Sequence, residues 1–110
     1  MVHSSVKKKI SKARIKIPHE RIGEFCRNNR IQSLSLFGSV LSDDFGPDSD
    51  VDVLVEFKTG TRIGLIRLTG LEFELSEILG RKVDLNTPGF ISKYFRSRVM
   101  SEREIQYAEA

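Results

Sequence analysis

Cysteine is nearly missing from this chain: Cys26 is the single one in 110 residues. An internal disulfide is therefore excluded, and a lone thiol suits a reducing cytoplasm. Cys26 falls on the apolar face of a predicted helix and reads as a small core residue. Histidine is scarce too. His3 and His19 stand alone, without partners at metal-ligand spacing, so an imidazole-based metal site is not expected. No stretch is long or apolar enough to cross a bilayer. The charged start, Met1 to Lys9, has no apolar run behind it, so a secretory leader is not expected either. Internal repeats are absent. What remains, with 39% apolar and 30% charged residues, has the balance of one soluble globular domain.

Acidic residues are missing from residues 1–17, which carry six basic side chains (Lys7, Lys8, Lys9, Lys12, Arg14, Lys16). The rest of the chain holds 12 basic and 15 acidic residues, so the net charge of +3 hides a mildly acidic body. The expected division is a flexible basic tail over 1–17 and one domain over 18–110. A short charged terminus of this kind is usually a solvated arm; its functional alternative is contact with nucleic acid or an acidic partner.

Pro18 suits the first turn of a helix running to about Asn29, with Ile22, Phe25 and Cys26 on one face. Ile31 to Phe37 has apolar residues on both alternating faces and predicts a central strand. A short helical turn is expected over Val40–Asp44, then a loop through Phe45-Gly46-Pro47-Asp48-Ser49, with Asp43, Asp44 and Asp48 as turn residues. Asp50 to Phe57 predicts a second strand. Arg62 to Leu79 predicts the strongest helix, after a turn and cap at Lys58–Thr61, with Leu68, Leu71, Leu75, Ile78 and Leu79 at helical spacing. Gly80 is its expected C-cap, with Arg81 and Lys82 beside its negative end. Lys82 to Asn86 predicts a third strand, and residues 91–100 a helix with Ile91, Phe95 and Val99 inward. From Ser101 on, the pattern fits either a capping box with Glu104 or a short edge strand over Glu104–Tyr107.

Ten residues separate Gly38-Ser39 from Asp50-Val51-Asp52. Alternate residues of a strand share a face about 6.5–7 Å apart, so Asp50 and Asp52 project together. Two carboxylates that close repel, and a divalent cation removes the conflict. Magnesium favours a few carboxylates completed by water and phosphate oxygens. Asp84, alternating with Val83 and Leu85, joins the pair if the third strand lies beside the second. It can then bind a catalytic metal and help take the proton from an attacking hydroxyl. Glycine lets a backbone approach an oxyanion closely, and Ser39 adds a hydroxyl and an amide at a helical start. Gly38 and Ser39 are therefore the expected nucleotide-binding end, holding phosphates. Asp50, Asp52 and Asp84 are the expected metal and catalytic end, for one or two Mg²⁺ ions. A glycine-serine pair alone is an ordinary turn; the combination is the specific signal. Glu56 lies too far along the strand to share that metal and reads as solvated or salt-bridged. Tyr94 and Tyr107 read as packing residues.

The run Leu36-Phe37-Gly38-Ser39 followed by Pro47-Asp48-Ser49-Asp50-Val51-Asp52-Val53-Leu54-Val55-Glu56-Phe57 resembles the minimal nucleotidyltransferases of bacteria and archaea, within the DNA polymerase β-like superfamily. The likeness continues through Gly70-Leu71-Glu72, Leu79-Gly80-Arg81-Lys82-Val83-Asp84-Leu85, Arg98-Val99 and Glu104, covering about residues 18–107. The resemblance implies an α/β fold with a small mixed sheet backed by helices, and transfer of AMP from ATP with Mg²⁺. By the same resemblance Gly38 and Ser39 match the phosphate-binding pair, and Asp50, Asp52 and Asp84 the catalytic carboxylates. It further implies an antitoxin whose partner is a helical HEPN ribonuclease toxin, silenced by adenylylation of a tyrosine. One departure stands out. The family often carries basic residues where this chain has Val40 and Ser42; Arg62, Arg81, Lys82 or a partner residue are the candidates to replace them.

Two other functions fit the same residues. One is a binding module that neutralises its partner by occlusion, which the uncharged Val40 and Ser42 favour. The other is an RNA nucleotidyltransferase guided by the basic tail. An active face this open on so small a chain also calls for a second body, either another copy or a partner.

Overall fold

A computed structural model describes residues 10–110. In chain order the elements are α1 (His19–Asn28), β1 (Ile31–Phe37), a 3₁₀ turn (Gly38–Leu41), β2 (Val51–Phe57) and α2 (Leu65–Leu79). They are followed by β3 (Val83–Asn86), a second 3₁₀ turn (Pro88–Phe90), α3 (Lys93–Glu102) and β4 (Glu104–Ala108). The four strands form one sheet in the order β3-β2-β1-β4. β1 runs antiparallel to β2 and β4, while β2 and β3 are parallel, so the sheet is mixed as expected. A parallel pair needs a long crossover, and α2 supplies it.

The core follows from the patterns of β1, β2, α1 and α2. Val51, Val53 and Val55 of β2 are fully buried and meet Leu34 and Leu36 of β1. Ile22, Phe25 and Cys26 of α1 and Leu68, Leu71 and Leu75 of α2 pack against them. Burial raises the Cys26 thiol to about 12, slightly opposed by Arg27, so it is held protonated and unreactive. Gly80 ends α2 at φ 69°, its amide donating to Ser76 O at 2.9 Å.

The outer edge of β3 is closed by α2. Val83 N donates to Ser76 Oγ at 3.0 Å, and Leu85 N donates to Glu72 Oε2 at 2.8 Å. Two edge amides that would otherwise face water are thereby satisfied by side chains one helical turn apart.

Several boundaries differ from the sequence expectations. The 3₁₀ turn starts at Gly38, not Val40, because Val40 is itself fully buried and pulls the turn onto the core. β2 begins at Val51, leaving Asp50 just ahead of it. α2 starts at Leu65 behind Gly64, and Thr61 instead accepts a hydrogen bond from Arg30 Nε at 3.1 Å. Arg81 does not serve the end of α2; it binds a loop, as described below. Loop hydrogen bonds come from serines, not aspartates: Ser42 Oγ accepts from Asp44 N, and Ser49 Oγ from Gly46 N. α3 spans Lys93–Glu102 and buries no residue. The stripe Ile91, Phe95, Val99 does not form a buried face: Ile91 lies outside the helix, Val99 is half-buried and Phe95 is 61% exposed. Of the two readings for the C-terminal segment, the edge strand is the one formed.

Of the basic segment, residues 1–9 lie outside the described residues. Residues 10–17 lie along the domain: Ala13, Ile15 and Ile17 pack on the core, and Arg14 N donates to Val40 O at 2.9 Å. Glu104 fixes this stretch by accepting from Ser11 Oγ at 2.6 Å and Lys12 N at 2.7 Å. Partial burial pushes the Glu104 carboxyl upward, but these bonds and Gln106 outweigh it and hold it below its ordinary range. Among the described residues no helix is long and apolar enough to cross a membrane.

Candidate active site

Three aspartates gather at one end of the parallel strand pair. Asp52 of β2 and Asp84 of β3 are register partners, flanked by the pairs Val51–Val83 and Val53–Leu85. Adjacent strands lie about 4.8 Å apart, so the two carboxylates leave the sheet side by side. Asp50 precedes β2 by one residue, close enough that its charge is felt at Asp52. The buried valines on the opposite face fix the direction in which Asp52 and Asp84 leave the sheet.

The glycine-serine turn meets the acids directly. Phe37, the last residue of β1, is the register partner of Asp52, so Gly38 begins beside that carboxylate. Gly38 has φ 76°, and a Cβ placed there would overlap Asp52 Oδ2 and stand 3.2 Å from Asp52 Cγ. Glycine suits this conformation, and any side chain here would displace the Asp52 carboxylate. Ser39 follows in the 3₁₀ turn, partly exposed.

The electrostatics are those of like charges held close together. Partial burial, then the charges of Asp84 and Asp50, raise Asp52 from 3.8 to about 6. Lys82 Nζ approaches Asp50 Oδ2 at 3.9 Å, but both side chains are well exposed and the pair contributes little. Among the described residues no three carboxylate, imidazole or thiolate side chains already converge on one metal-sized point. The aspartates form an open acidic face, not a closed cage. An all-carboxylate donor set with room for phosphate and water oxygens suits Mg²⁺.

The raised Asp52 value predicts a pH effect. In metal-free protein the folded state binds a proton at Asp52 that the unfolded chain releases near pH 4. Stability therefore falls as pH rises from about 4 to about 6, by about 1 kcal/mol after solvent screening. Thermal melts across this range should show the drop in the wild type, its absence in Asp52→Asn, and its reversal by Mg²⁺. A rise through the same window, relative to Asp52→Asn, would contradict it.

Arg81 supplies a support that its local sequence does not signal. Arg81 Nη2 donates to Gly46 O at 2.9 Å, Pro47 O at 3.3 Å and Ser49 O at 2.9 Å, and its guanidinium carbon lies 4.4 Å from the centre of the Phe45 ring. It clamps the loop that delivers Asp50. Nothing in the local sequence links a cation to carbonyls more than thirty positions earlier. Arg14 is the second, paired with Asp43 and held beside the 38–41 turn by its own amide. Neither Val40 nor Ser42 offers charge there: Val40 is core, and Ser42 Oγ donates to Ser39 O at 3.1 Å. Arg62 stands exposed in the loop before α2.

The remaining candidates lie elsewhere. Glu56 accepts from Ser33 Oγ at 3.1 Å, its register partner on β1. His19 Nε2 bonds Gln106 Oε1 at 2.8 Å. Tyr107 packs on the core and donates to Glu109 Oε2 at 2.8 Å, whereas Tyr94 does not pack.

The nucleotidyltransferase domain model matches residues 20–106, most of the chain and all of this site. The chain belongs to the nucleotidyltransferase domain family. This nucleotidyltransferase is 36% identical over 72 residues to a Methanocaldococcus jannaschii protein named "Putative protein adenylyltransferase", covering 66% of the chain and 75% of that relative. A second M. jannaschii protein of the same name is 33% identical over 73 residues, covering 66% and 72%. Among solved structures, a chain of a toxin–antitoxin complex with AMP-PNP shares the fold at TM-score 0.69 and 22% identity, covering 84% of this chain and 75% of that one. A chain of a Shewanella oneidensis complex between a tri-AMPylated HEPN toxin and an MNT antitoxin does so at 0.61 and 22%, covering 83% and 70%. The α/β nucleotidyltransferase fold expected from the sequence is the fold observed.

Proposed function

We propose that this nucleotidyltransferase transfers AMP from ATP to a protein hydroxyl, and that the acceptor is a tyrosine of a HEPN-type toxin which it thereby silences as a cytoplasmic antitoxin. The observation that carries this reading is the Asp52–Asp84 register pair lying against Gly38. It sets an acidic face within reach of a turn suited to phosphates. The transferase domain is residues 18–110, preceded by the basic segment 1–17, of which residues 10–17 pack along it. The names of the relatives and of the solved complexes point the same way.

Asp50, Asp52 and Asp84 would hold Mg²⁺, and bound there it neutralises charge on the phosphate oxygens. Gly38 and Ser39 take the β and γ phosphates through backbone amides and the Ser39 hydroxyl. The acceptor oxygen attacks the α-phosphorus. The bond from that phosphorus to the bridging oxygen breaks, and pyrophosphate leaves with its electron pair. Asp84, exposed at the sheet's rim, receives the acceptor's proton. The test is to offer the protein ATP labelled at either the α or the γ phosphorus, with Mg²⁺ and the neighbouring gene's product. Label from the α position should reach the partner and label from the γ position should not. Transfer from γ, or from neither, overturns the reading.

Val40 and Ser42 favour a second reading, neutralisation by occlusion, since neither presents a cation to a triphosphate. It requires that the Asp50→Asn, Asp52→Asn double variant still neutralise the partner fully. Intact complex formation with lost neutralisation rejects it.

A further inference from the structure

Two cavities of different character adjoin the 38–41 turn, one at Gly38 and one at its C-cap, Ser42. By Gly38, about 300 Å³ is lined by Phe37, Gly38, Phe95, Arg98, Val99 and Glu102. Its two charges cancel, because Arg98 Nε bonds Glu102 at 3.3–3.4 Å, and its walls are aromatic and aliphatic. By Ser42, about 370 Å³ is lined by Arg14, Ser42, Asp43, Phe45, Pro47 and Arg81, among others; Arg14 pairs with Asp43, and the net positive charge is that of Arg81, whose guanidinium also holds loop carbonyls. A nucleoside triphosphate has the same asymmetry, a flat uncharged end and a polyanionic end.

Phe95 needs an explanation of its own. It is 61% exposed, on a helix that buries nothing, yet it faces the cavity that Gly38 lines. Gly38 in turn abuts the Asp52 carboxylate. A ligand placed on Phe95 therefore lies next to the acids without leaving the protein surface.

We infer that the nucleobase enters the cavity between Phe37 and α3 and stacks on Phe95, with the phosphates running across the turn toward Arg14 and Arg81. This rests on the reading above that the site takes a nucleoside triphosphate. The volume suits a base with part of its ribose. Arg98 and Glu102 at the rim provide a donor and an acceptor for the base edge. Stacking on an exposed ring is tolerant of base identity, so selectivity for adenine resides in those two side chains, not in Phe95.

The experiment compares binding of Mg²⁺·ATP and of Mg²⁺·inorganic triphosphate to the full chain by calorimetry. Phe95→Ala should weaken ATP about tenfold or more and leave triphosphate unchanged, while Phe95→Tyr retains ATP. A fluorescent etheno-ATP should lose emission on binding the wild type and not on binding Phe95→Ala. Because Phe95 is exposed, melting temperature should be the same in all three. If the wild type binds ATP and Phe95→Ala binds it equally well, or if both ligands weaken together, the inference is overturned and the triphosphate site stands. If the wild type binds neither ligand, the site reading itself fails and this inference with it.

Discussion

Replacing both Asp50 and Asp52 with asparagine is expected to lower transfer by about a thousandfold or more while leaving the fold intact. The two changes keep side-chain size and remove two charges from a face where three carboxylates repel. In metal-free protein near pH 7 the double variant should therefore be as stable as the wild type or more so, since the raised Asp52 value marks a charge the fold bears at a cost. Loss of activity with gain of stability separates an electrostatic role from a structural one. Measurement of the initial transfer rate alongside a thermal melt decides it. A variant that is destabilised and inactive would indicate scaffolding instead.

Gly38→Ala should be nearly as damaging by a different route. At φ 76° an alanine is strained, by about 1–2 kcal/mol. Its methyl would also overlap the Asp52 carboxylate, so the acid must turn away from its place beside Asp84. Gly80→Ala is the control. It has a similar φ of 69° but open space around the added carbon, so it should bear the strain alone. Both variants should lose several degrees in melting temperature. Only Gly38→Ala should lose most of its transfer activity. Equal activity in the two would mean that the turn does not touch the chemistry.

The parts of this molecule that were legible in its sequence are those written in short periods. β1, apolar on both faces, reads as a central strand, and the alternation of Val83, Asp84 and Leu85 puts Asp84 on the face opposite the buried residues of β3. Bringing it to Asp52 needed the third strand to lie beside the second, which the βαβ arrangement supplied. Gly38 was expected to free the backbone for phosphate; its second role, making room for Asp52, depends on β1–β2 register and could not be read locally. Arg81, Arg14 and the Glu72–Ser76 seal on β3 act across distances that no periodicity reports. α3 misled because helical spacing records which residues share a face, not whether anything packs against it. Phe95 shares a stripe with Val99, but among the described residues no second layer covers that stripe.

The most direct measurement is a calorimetric titration of ATP into the protein with and without Mg²⁺. Binding should require Mg²⁺ in the wild type and disappear in Asp50→Asn, Asp52→Asn. Binding of equal strength without the metal, or binding unchanged in the double variant, would contradict it.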